Sequence, residues 1–391
     1  MNNDYCLNLS TVSKELNLLL ELMRVDNEPI HQKWLPDIEW EILLQLARHH
    51  RVYPMVYSKL KNIDGIPSFV LQTLYKEYKL NTFKMLALSK EMEQLSKLFT
   101  ENHIPLLFLK GPVIAAHLYG DLSLRTSKDL DILIQIKHIE RVEEILIDLG
   151  YEKEPVLSVL PFVLNDWKWG KHHIVYYHPQ KQMMLEIHWR LEPFPSKEPS
   201  FNELWERKRV SVITNEPVYF LGEEDLFTYL VSHGARHGWF RLRWLLDIDK
   251  MLRKGLDIEK SIQQLKQYHR GHVGGQALIL TSELLRTPIE GDLKELTERS
   301  DARKLAQHSM EFINGMESIA AISSTKSYKR YRWSMNKADR FFKGLLLFYP
   351  NYADVQTFKL PKYLHLLYFP LRPFLMVVRK IRKRSLRHKE I

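Results

Sequence analysis

Two aspartates separated by one residue, Asp129 and Asp131, are the side chains of this sequence most suited to chemistry. Side chains alternate between the two faces of a strand, so residues at positions i and i+2 project from the same face. The stretch 106–134, LLFLKGPVIAAHLYGDLSLRTSKDLDILI, is typical of a strand, a tight glycine turn, a helix, a loop and a second strand. It therefore predicts paired carboxylates beside a glycine turn, which is what a site for a metal ion and a nucleoside triphosphate requires.

A third carboxylate follows on a later predicted strand, where Glu186 lies in the run LEIHWRL at residues 185–191. Three carboxylates on adjacent strands can hold one or two Mg2+ ions, because Mg2+ prefers hard oxygen ligands and takes the others from phosphate and water. One ion would lower the pKa of an attacking hydroxyl group, and the other would neutralise the leaving pyrophosphate. The alternative for each acid is a solvated position on an exposed strand face.

Three motifs occur in order in this region: Leu109-Lys110-Gly111, Tyr119-Gly120 and the run LRTSKDLD at residues 124–131. With these motifs the sequence resembles the nucleotidyltransferase superfamily of DNA polymerase β and the aminoglycoside-modifying adenylyltransferases. It is most similar to a bacterial branch described as uncharacterised nucleotidyltransferases. The resemblance covers about residues 70–270 and extends more loosely to the runs at 185–191 and 233–248.

This resemblance implies an α+β fold, in which a small mixed β-sheet forms the nucleotidyltransferase core between N-terminal and C-terminal helical regions. It implies that Asp129 and Asp131 are paired metal ligands and that Glu186 is the third catalytic carboxylate. Two Mg2+ ions would be the cofactor, and a nucleoside triphosphate would be a substrate. Gly111 would let the backbone approach the triphosphate at the start of the following helix.

The glycine turn departs from the superfamily pattern, which has Gly-Ser or Gly-Gly where this chain has Gly111-Pro112. Proline has no N–H group to donate to a phosphate. Lys110 and Arg125 are therefore predicted to contact the phosphates as charged groups, and Ser127 is a further predicted nucleotide contact. Their alternatives are a surface lysine, a structural salt bridge and a turn residue.

The predicted helical region after residue 221 offers two more nucleotide contacts, His237 and Arg241. His233 and His237 are four residues apart, a spacing that suits a pair of metal ligands on one helix face. No third ligand is evident next to them in the sequence. The alternative is a helix face that packs on the catalytic core.

Two pairs of residues lie before the predicted Glu186 strand. Trp167 and Trp169 are predicted to line a cleft for the acceptor, because aromatic side chains outside a core often mark binding sites. His172 and His173 are predicted to lie on a strand surface.

The remaining periodicity predicts mostly helices. The longest helix is predicted to begin near Ser68 as its N-cap, and its apolar residues recur every three or four positions with one gap at Asn81. Two β-rich runs, at 172–178 and 183–189, predict a hairpin. The predicted regions are a helical region at 1–100, a catalytic core at 101–220, a helical domain at 221–325 and a basic aromatic tail at 326–391.

Composition limits the classes of protein to consider. The chain has 391 residues and one cysteine, Cys6, so an intrachain disulfide or a cysteine-rich zinc site is excluded. The single cysteine fits a reducing, cytoplasmic setting, and the first residues do not predict a signal peptide. No apolar run is long enough to predict a membrane span.

The net charge of +10 comes from the tail. Residues 326–391 hold 17 Lys and Arg against three Asp and Glu, whereas residues 1–325 carry a net charge of −4. Basic residues from Arg379 to Lys389 follow an apolar run at 374–378, a pattern typical of a basic amphipathic helix at an anionic membrane surface. The alternatives are an arm that binds nucleic acid and a solvated terminus.

Three functions are consistent with these observations. The first is Mg2+-dependent transfer of a nucleoside monophosphate from a nucleoside triphosphate to a small molecule, a sugar or a peptide. The resemblance favours a biosynthetic tailoring role, since similar proteins are encoded among peptide and polysaccharide biosynthesis genes, including those for lasso-peptide modification. The second is toxin-like modification of RNA or tRNA. The third is a catalytically degenerate scaffold that binds nucleotides.

Overall fold

The computed structural model describes residues 7–25, 32–154, 171–193, 196–335, 350 and 352–387. Trp167 and Trp169, the predicted cleft residues, lie outside this part of the chain. Helices α1 to α4 precede the first strand and bury apolar faces rich in leucine against one another. Their bounds are Lys14–Met23 for α1, Trp40–His49 for α2, Tyr53–Leu60 for α3 and Ser68–Glu101 for α4.

One mixed sheet of seven strands lies at the centre of the described residues. Its strands are β1 (Leu106–Phe108), β2 (Asp129–Ile134), β3 (Glu152–Lys153), β4 (His173–His178), β5 (Met183–His188), β6 (Arg209–Ser211) and β7 (Val218–Phe220). Their order across the sheet is β3-β4-β5-β2-β1-β7-β6. The pairs β2–β5 and β1–β7 are parallel, and the other four are antiparallel. The predicted α+β fold with a mixed sheet is confirmed.

The long helix α4 lies along the sheet and supports the loop that precedes β2. Ser68 is its first helical residue and Pro67 its N-cap, so the prediction of Ser68 as the N-cap is wrong by one position. The gap that Asn81 leaves in the apolar stripe has a structural reason. The buried Asn81 amide donates to the carbonyl oxygens of Ser123 at 2.8 Å and Arg125 at 3.4 Å, so α4 holds this loop in place.

Short helices connect the strands. The segment between β1 and β2 contains α5 (Pro112–Ile114) and continues as one π-helical turn, Ala115–Tyr119. Helix α6 (Ile139–Asp148) follows β2, and α7 (Phe201–Glu206) precedes β6. Helix α7 begins with a capping box, in which Ser200 and Glu203 satisfy each other's backbone N–H groups.

The first six helices after β7 pack against one another. They are α8 (Glu223–Arg236), α9 (Leu242–Arg253), α10 (Ile258–Gln267), α11 (Gly271–Leu285), α12 (Leu293–Glu298) and α13 (Ser300–Asn314). Helix α11 is the most buried of them and packs against α8, α9, α12 and α13. Gly275 permits its close approach to α12, because a Cβ atom there would lie 2.0 Å from the carbonyl oxygen of Leu296.

The described part of the basic tail is also helical. Helix α14 (Ile319–Ser324) directly precedes the tail, and the helices within it are α15 (Lys326–Met335), α16 (Tyr352–Thr357) and α17 (Tyr368–Arg387). The buried Asp354 of α16 pairs with Arg372 at 3.2 Å and Arg379 at 2.6 Å, which ties α16 to α17. Among the described residues, no helix is both long and apolar enough to cross a membrane.

Candidate active site

Strands β2 and β5 place two of the three predicted carboxylates opposite each other. Their parallel register pairs Asp131 with Glu186, and Asp129 with Met184. Asp129 and Asp131 are two positions apart, as are Glu186 and His188, and side chains at this spacing share a face of the sheet. The three predicted acids and His188 therefore project from the same face.

Asp131 is the centre of this group and is fully buried. Its Oδ1 atom lies 2.8 Å from Nζ of Lys110 and 3.3 Å from Nε2 of His188. The same nitrogen of His188 lies 3.2 Å from Oε2 of Glu186. The imidazole thus bridges the two carboxylates, and the ammonium group pairs with Asp131.

The opposite charges in this group stabilise one another, although the side chains that carry them are buried. Burial by itself raises the pKa of Asp131 and lowers that of Lys110, but their mutual attraction outweighs it. The net effect holds the pKa of Asp131 below its ordinary value and that of Lys110 above it. For His188, burial lowers the pKa, but hydrogen bonding to Asp131 and Glu186 outweighs burial and raises it.

Asp129 lies at the start of β2, beside the group rather than inside it. Burial raises the pKa of Asp129, and the charge of Asp131 raises it further. Among the described residues, the acids whose ligand atoms lie within 4.8 Å of one another and of a His188 nitrogen are Asp131 and Glu186. His188 was not predicted from the sequence as a ligand, although its period-two spacing from Glu186 was the available signal.

The group fits a divalent cation. Oδ2 of Asp131 is buried and has no hydrogen-bond partner within the described chain. A buried ionised oxygen without a partner is costly, so a cation at this position would stabilise the site. Asp131 and Glu186 offer the hard oxygen ligands that Mg2+ prefers, and phosphate and water would supply the others.

The glycine turn at Gly111 has a conformation that other residues rarely adopt. Gly111 has a φ of 91°, and a Cβ atom there would lie 3.4 Å from the Leu130 side chain and 3.9 Å from the Asp129 carbonyl oxygen. The turn brings Lys110 onto Asp131, and Pro112 opens α5. Lys110, which was predicted to contact the phosphates, therefore pairs with a carboxylate of the site, and its contact with phosphate stays a prediction.

Arg125, a predicted phosphate contact, is paired with another acid, Asp247. Its guanidinium is buried and donates to Asp247 of α9 through Nε at 2.9 Å and through a terminal nitrogen at 2.8 Å. The Tyr119 hydroxyl donates to the same carboxylate at 2.8 Å. Arg125 therefore forms a structural salt bridge, which was the alternative to its predicted contact with phosphate.

The other predicted nucleotide contacts are held by neighbouring groups. The Ser127 hydroxyl donates to the backbone carbonyl of Asp129 at 3.0 Å. His237 packs against His233 and Trp244, with ring centroids 4.8 and 5.2 Å apart, and burial lowers its pKa well below the ordinary value. Their contact with nucleotide stays a prediction.

Four basic side chains interact electrostatically with Asp129, and Arg241 interacts with one of the four, Arg243. We call these five residues the basic cluster: Arg51, Lys84, Lys128, Arg241 and Arg243. Two of them are anchored by backbone carbonyls, since Arg241 donates to His49 at 2.6 Å and Arg243 donates to Thr126. The cluster draws on the end of α2, on α4, on the loop before β2 and on the start of α9. Because these positions are far apart in the chain, the sequence predicted only Arg241.

The positive charges of the basic cluster are not fully compensated. Burial and mutual repulsion lower the pKa of Arg51 and Arg241 to about 10 and that of Arg243 to about 9. Repulsion by Arg51 lowers the pKa of Lys128, and Asp129 opposes this effect. A group of crowded cations beside one acid is suited to binding a polyanion such as a triphosphate.

A small cavity of about 20 Å³ lies next to the carboxylate group. Tyr229 lies between the cavity and the carboxylate group, because it lines the cavity and interacts with the charges of Lys110 and Asp131. Burial raises the pKa of Tyr229, the charge of Lys110 lowers it, and the charge of Asp131 raises it. Its hydroxyl is buried and has no hydrogen-bond partner among the described residues. Polar residues dominate the rest of the lining, among them Glu192, Glu198, Asp225, Gln264 and Arg270.

Comparison with known proteins identifies a family and similar solved structures. A family model described as uncharacterised nucleotidyltransferase matches residues 36–286, more than half of the chain. A solved structure of an antigenic nucleotidyltransferase-like protein from Paracoccidioides brasiliensis is similar with 15% sequence identity and a TM-score of 0.32. The match covers 52% of this chain and 93% of that one. No curated protein matches.

Proposed function

The chain belongs to the family of uncharacterised nucleotidyltransferases, and from this premise we propose that it transfers a nucleoside monophosphate from a nucleoside triphosphate to an acceptor. The reaction would depend on Mg2+ and release pyrophosphate. The observation that carries the proposal is the placement of Asp131 opposite Glu186 on the parallel strands β2 and β5, with Lys110 against them.

The residues divide into a metal end and a phosphate end. Asp131 and Glu186, with Asp129 beside them, would hold Mg2+, which when bound supplies positive charge to the triphosphate and the leaving pyrophosphate. The basic cluster would bind the phosphate oxygens and orient the triphosphate. Lys110 would neutralise the carboxylates until the substrate and its cation are bound.

The bond changes follow from this arrangement. An acceptor oxygen attacks the α-phosphorus, and the bond from that phosphorus to the oxygen bridging it to the β-phosphate breaks. Pyrophosphate leaves with the electron pair, and the acceptor proton passes to a base. We assign this base to Glu186, because its side chain is 22% exposed whereas that of Asp131 is 1% exposed.

The acceptor would be a small molecule, a sugar or a peptide of a biosynthetic pathway. The cavity beside Tyr229 supports this choice, because polar side chains line it and its volume of about 20 Å³ can take one polar group of an acceptor. In its lining, the buried Oε1 atom of Glu192 has no hydrogen-bond partner among the described residues and can accept from a hydroxyl or amino group of the acceptor.

Incubation of the full-length protein with Mg2+, each nucleoside triphosphate labelled at the α-phosphate and a panel of sugars, peptides and tRNA tests the proposal. We expect label on an acceptor, and about 100-fold less of it with Asp131→Asn, which removes a metal ligand. Asp148→Asn, at an exposed position in α6, is the control and should retain activity. Equal transfer by a folded Asp131→Asn variant would refute the assignment, and label on tRNA alone would favour the RNA-modifying alternative.

One observation favours a second candidate, a scaffold that binds nucleotides without turnover. The Lys110 ammonium group lies 2.8 Å from Asp131 and could take the place of a metal ion permanently. Heat stabilisation by a nucleoside triphosphate, with no label on any acceptor, would support this candidate. Label transfer would exclude it.

A further inference from the structure

Three imidazoles meet at the edge of the site where β4 and β5 pair. His172, His173 and His188 each offer a ring nitrogen, and these three nitrogens lie within 4.8 Å of one another. The Nδ1 atom of His173 is 3.2 Å from Nε2 of His172, and the rings of His173 and His188 stack with centroids 4.9 Å apart. The predicted strand surface is therefore a compact group of nitrogen donors.

The backbone holds the three rings in this arrangement. The antiparallel register of β4 and β5 places His173 directly opposite His188. The carbonyl of His172 accepts a hydrogen bond from the Trp189 N–H at 3.1 Å, which continues the same pairing by one residue. Strand pairing already fixes the positions of these residues, so they lose little conformational entropy when a ligand binds.

A second observation points to a ligand. The His188 side chain is only 3% exposed, and its buried Nδ1 atom has no hydrogen-bond partner among the described residues. A buried polar atom of this kind is normally paired with protein, water or a metal ion. Oε2 of Glu186 lies 4.0 Å from Nε2 of His173, so an oxygen ligand is also within reach.

We propose that His172, His173 and His188 form a binding site for a divalent transition-metal ion of the Zn2+ class. Nitrogen ligands suit Zn2+, whereas Mg2+ prefers oxygen, so this site differs in chemistry from the carboxylate pair. His188 contacts Asp131 and Glu186 through Nε2 and belongs to both groups. The two sites are therefore neighbours, but the histidine site does not rest on the proposed nucleotidyl transfer.

Zn2+ binding to the untagged, full-length protein after treatment with a chelator tests the proposal. Calorimetric titration of the wild type should show one site, and His172→Ala and His173→Ala should each weaken it about 100-fold or more. His138→Ala is the matched control, because His138 is only partly buried and lies outside the group. Substitution with Co2+ gives a second readout, since its visible absorption reports the nitrogen ligands of the bound ion.

The outcomes separate metal ligation from imidazoles that merely bond to one another. A single site that the His172 and His173 variants lose and His138→Ala keeps would support the proposal. Zn2+ binding that all three variants weaken equally, or a wild type without a site, would overturn it. Thermal unfolding of each metal-free variant shows whether it is folded. Because the readout is metal binding, absent nucleotidyl transfer would refute the proposed function and leave this inference intact.

Discussion

Lys110 neutralises part of the negative charge of the candidate site. Its ammonium group neutralises a carboxylate that is fully buried, and an isolated buried charge would be strongly unfavourable. A divalent cation on Asp131 could replace this neutralisation, since both positive charges act on the same carboxylate. We infer that Lys110 and the cation compensate for one another.

Replacing Lys110 tests this compensation. We expect Lys110→Met to lower the free energy of unfolding by about 3–5 kcal/mol in metal-free buffer, because Asp131 is then buried without its nearest cation. Mg2+ should recover part of the loss. Chemical denaturation with and without Mg2+ measures both effects.

The control for this experiment is Lys181→Met. Lys181 pairs at 2.7 Å with Glu91, a buried acid outside the site. This variant should lose stability that Mg2+ does not recover. An equal response of the two variants to Mg2+ would contradict a cation site at Asp131.

Some roles could be predicted from residue type and spacing, and others depended on partners that are distant in the sequence. Period two placed Asp131 with Asp129, and Glu186 with His188, on shared strand faces. The register that brings Asp131 opposite Glu186 is set by the pairing of β2 with β5, which no local pattern shows. Arg125 was predicted as a phosphate contact, because nothing near it in the sequence indicates its pairing with Asp247.

At the scale of elements, two helices position the strand that carries the aspartates. The loop before β2 is held by α4 through Asn81 and by α9 through Arg243 and Asp247. Neither helix contributes to the sheet, so the acids depend on contacts between the helical regions and the core. We expect substitutions in these contacts to reduce both stability and activity.

The pair of Arg125 and Asp247 is the strongest of these contacts and can be tested by a double-mutant cycle. Arg125→Met alone should cost about 3–5 kcal/mol, because it leaves a buried carboxylate without its partner. Adding Asp247→Leu should recover part of this loss, since the buried carboxylate that lost its partner is then removed. The Tyr119 hydroxyl would still lack its acceptor, at a cost of about 1–3 kcal/mol. A negligible effect of Arg125→Met would show that Arg125 is free to contact phosphate instead.

Two exposed members of the basic cluster, Lys84 and Lys128, allow a test that leaves the core intact. We expect Lys84→Ala and Lys128→Ala each to weaken the binding of a nucleoside triphosphate about 10-fold, the equivalent of ~1.4 kcal/mol for one lost charge contact. The effect should shrink at high salt. Thermal shift against nucleotide concentration measures it, and Lys97→Ala, another exposed position on α4, is the control. Equal affinities of all three variants would place the phosphates elsewhere.

The elements were easier to predict than the contacts between them. Helical periodicity located the start of α4 within one residue, because an apolar stripe is a local signal. The basic cluster was missed, since its members come from four elements and share no motif. The division into four regions likewise stays a prediction, because residue patterns alone set its boundaries.

For the whole molecule, the separation of charge between the body and the tail is the main feature. In α17, Arg379 is committed to Asp354, so this basic residue of the tail is paired within the protein. Phe374, Val377 and Ile381 nevertheless remain exposed on the same helix. Exposed apolar side chains next to basic residues favour an interface with an anionic surface. Among the other basic residues of this end, the side chains of 382–387 and all of Lys389 lie outside the described part of the chain.

We propose that this end of the chain binds anionic membranes peripherally, and truncation tests the proposal. The full-length protein should bind vesicles that contain phosphatidylserine and bind neutral vesicles much less, because each basic residue near the surface contributes about 1 kcal/mol. A chain truncated after Pro373 should lose this binding, and Phe374→Ser should weaken it, since less apolar surface then enters the interface. Sedimentation with vesicles at low and high salt measures both effects, and Val212→Ser, at a highly exposed apolar residue outside the tail, is the matched control. Equal sedimentation of the full-length and truncated chains would contradict the proposal, because the membrane contact would then lie outside the basic end of α17.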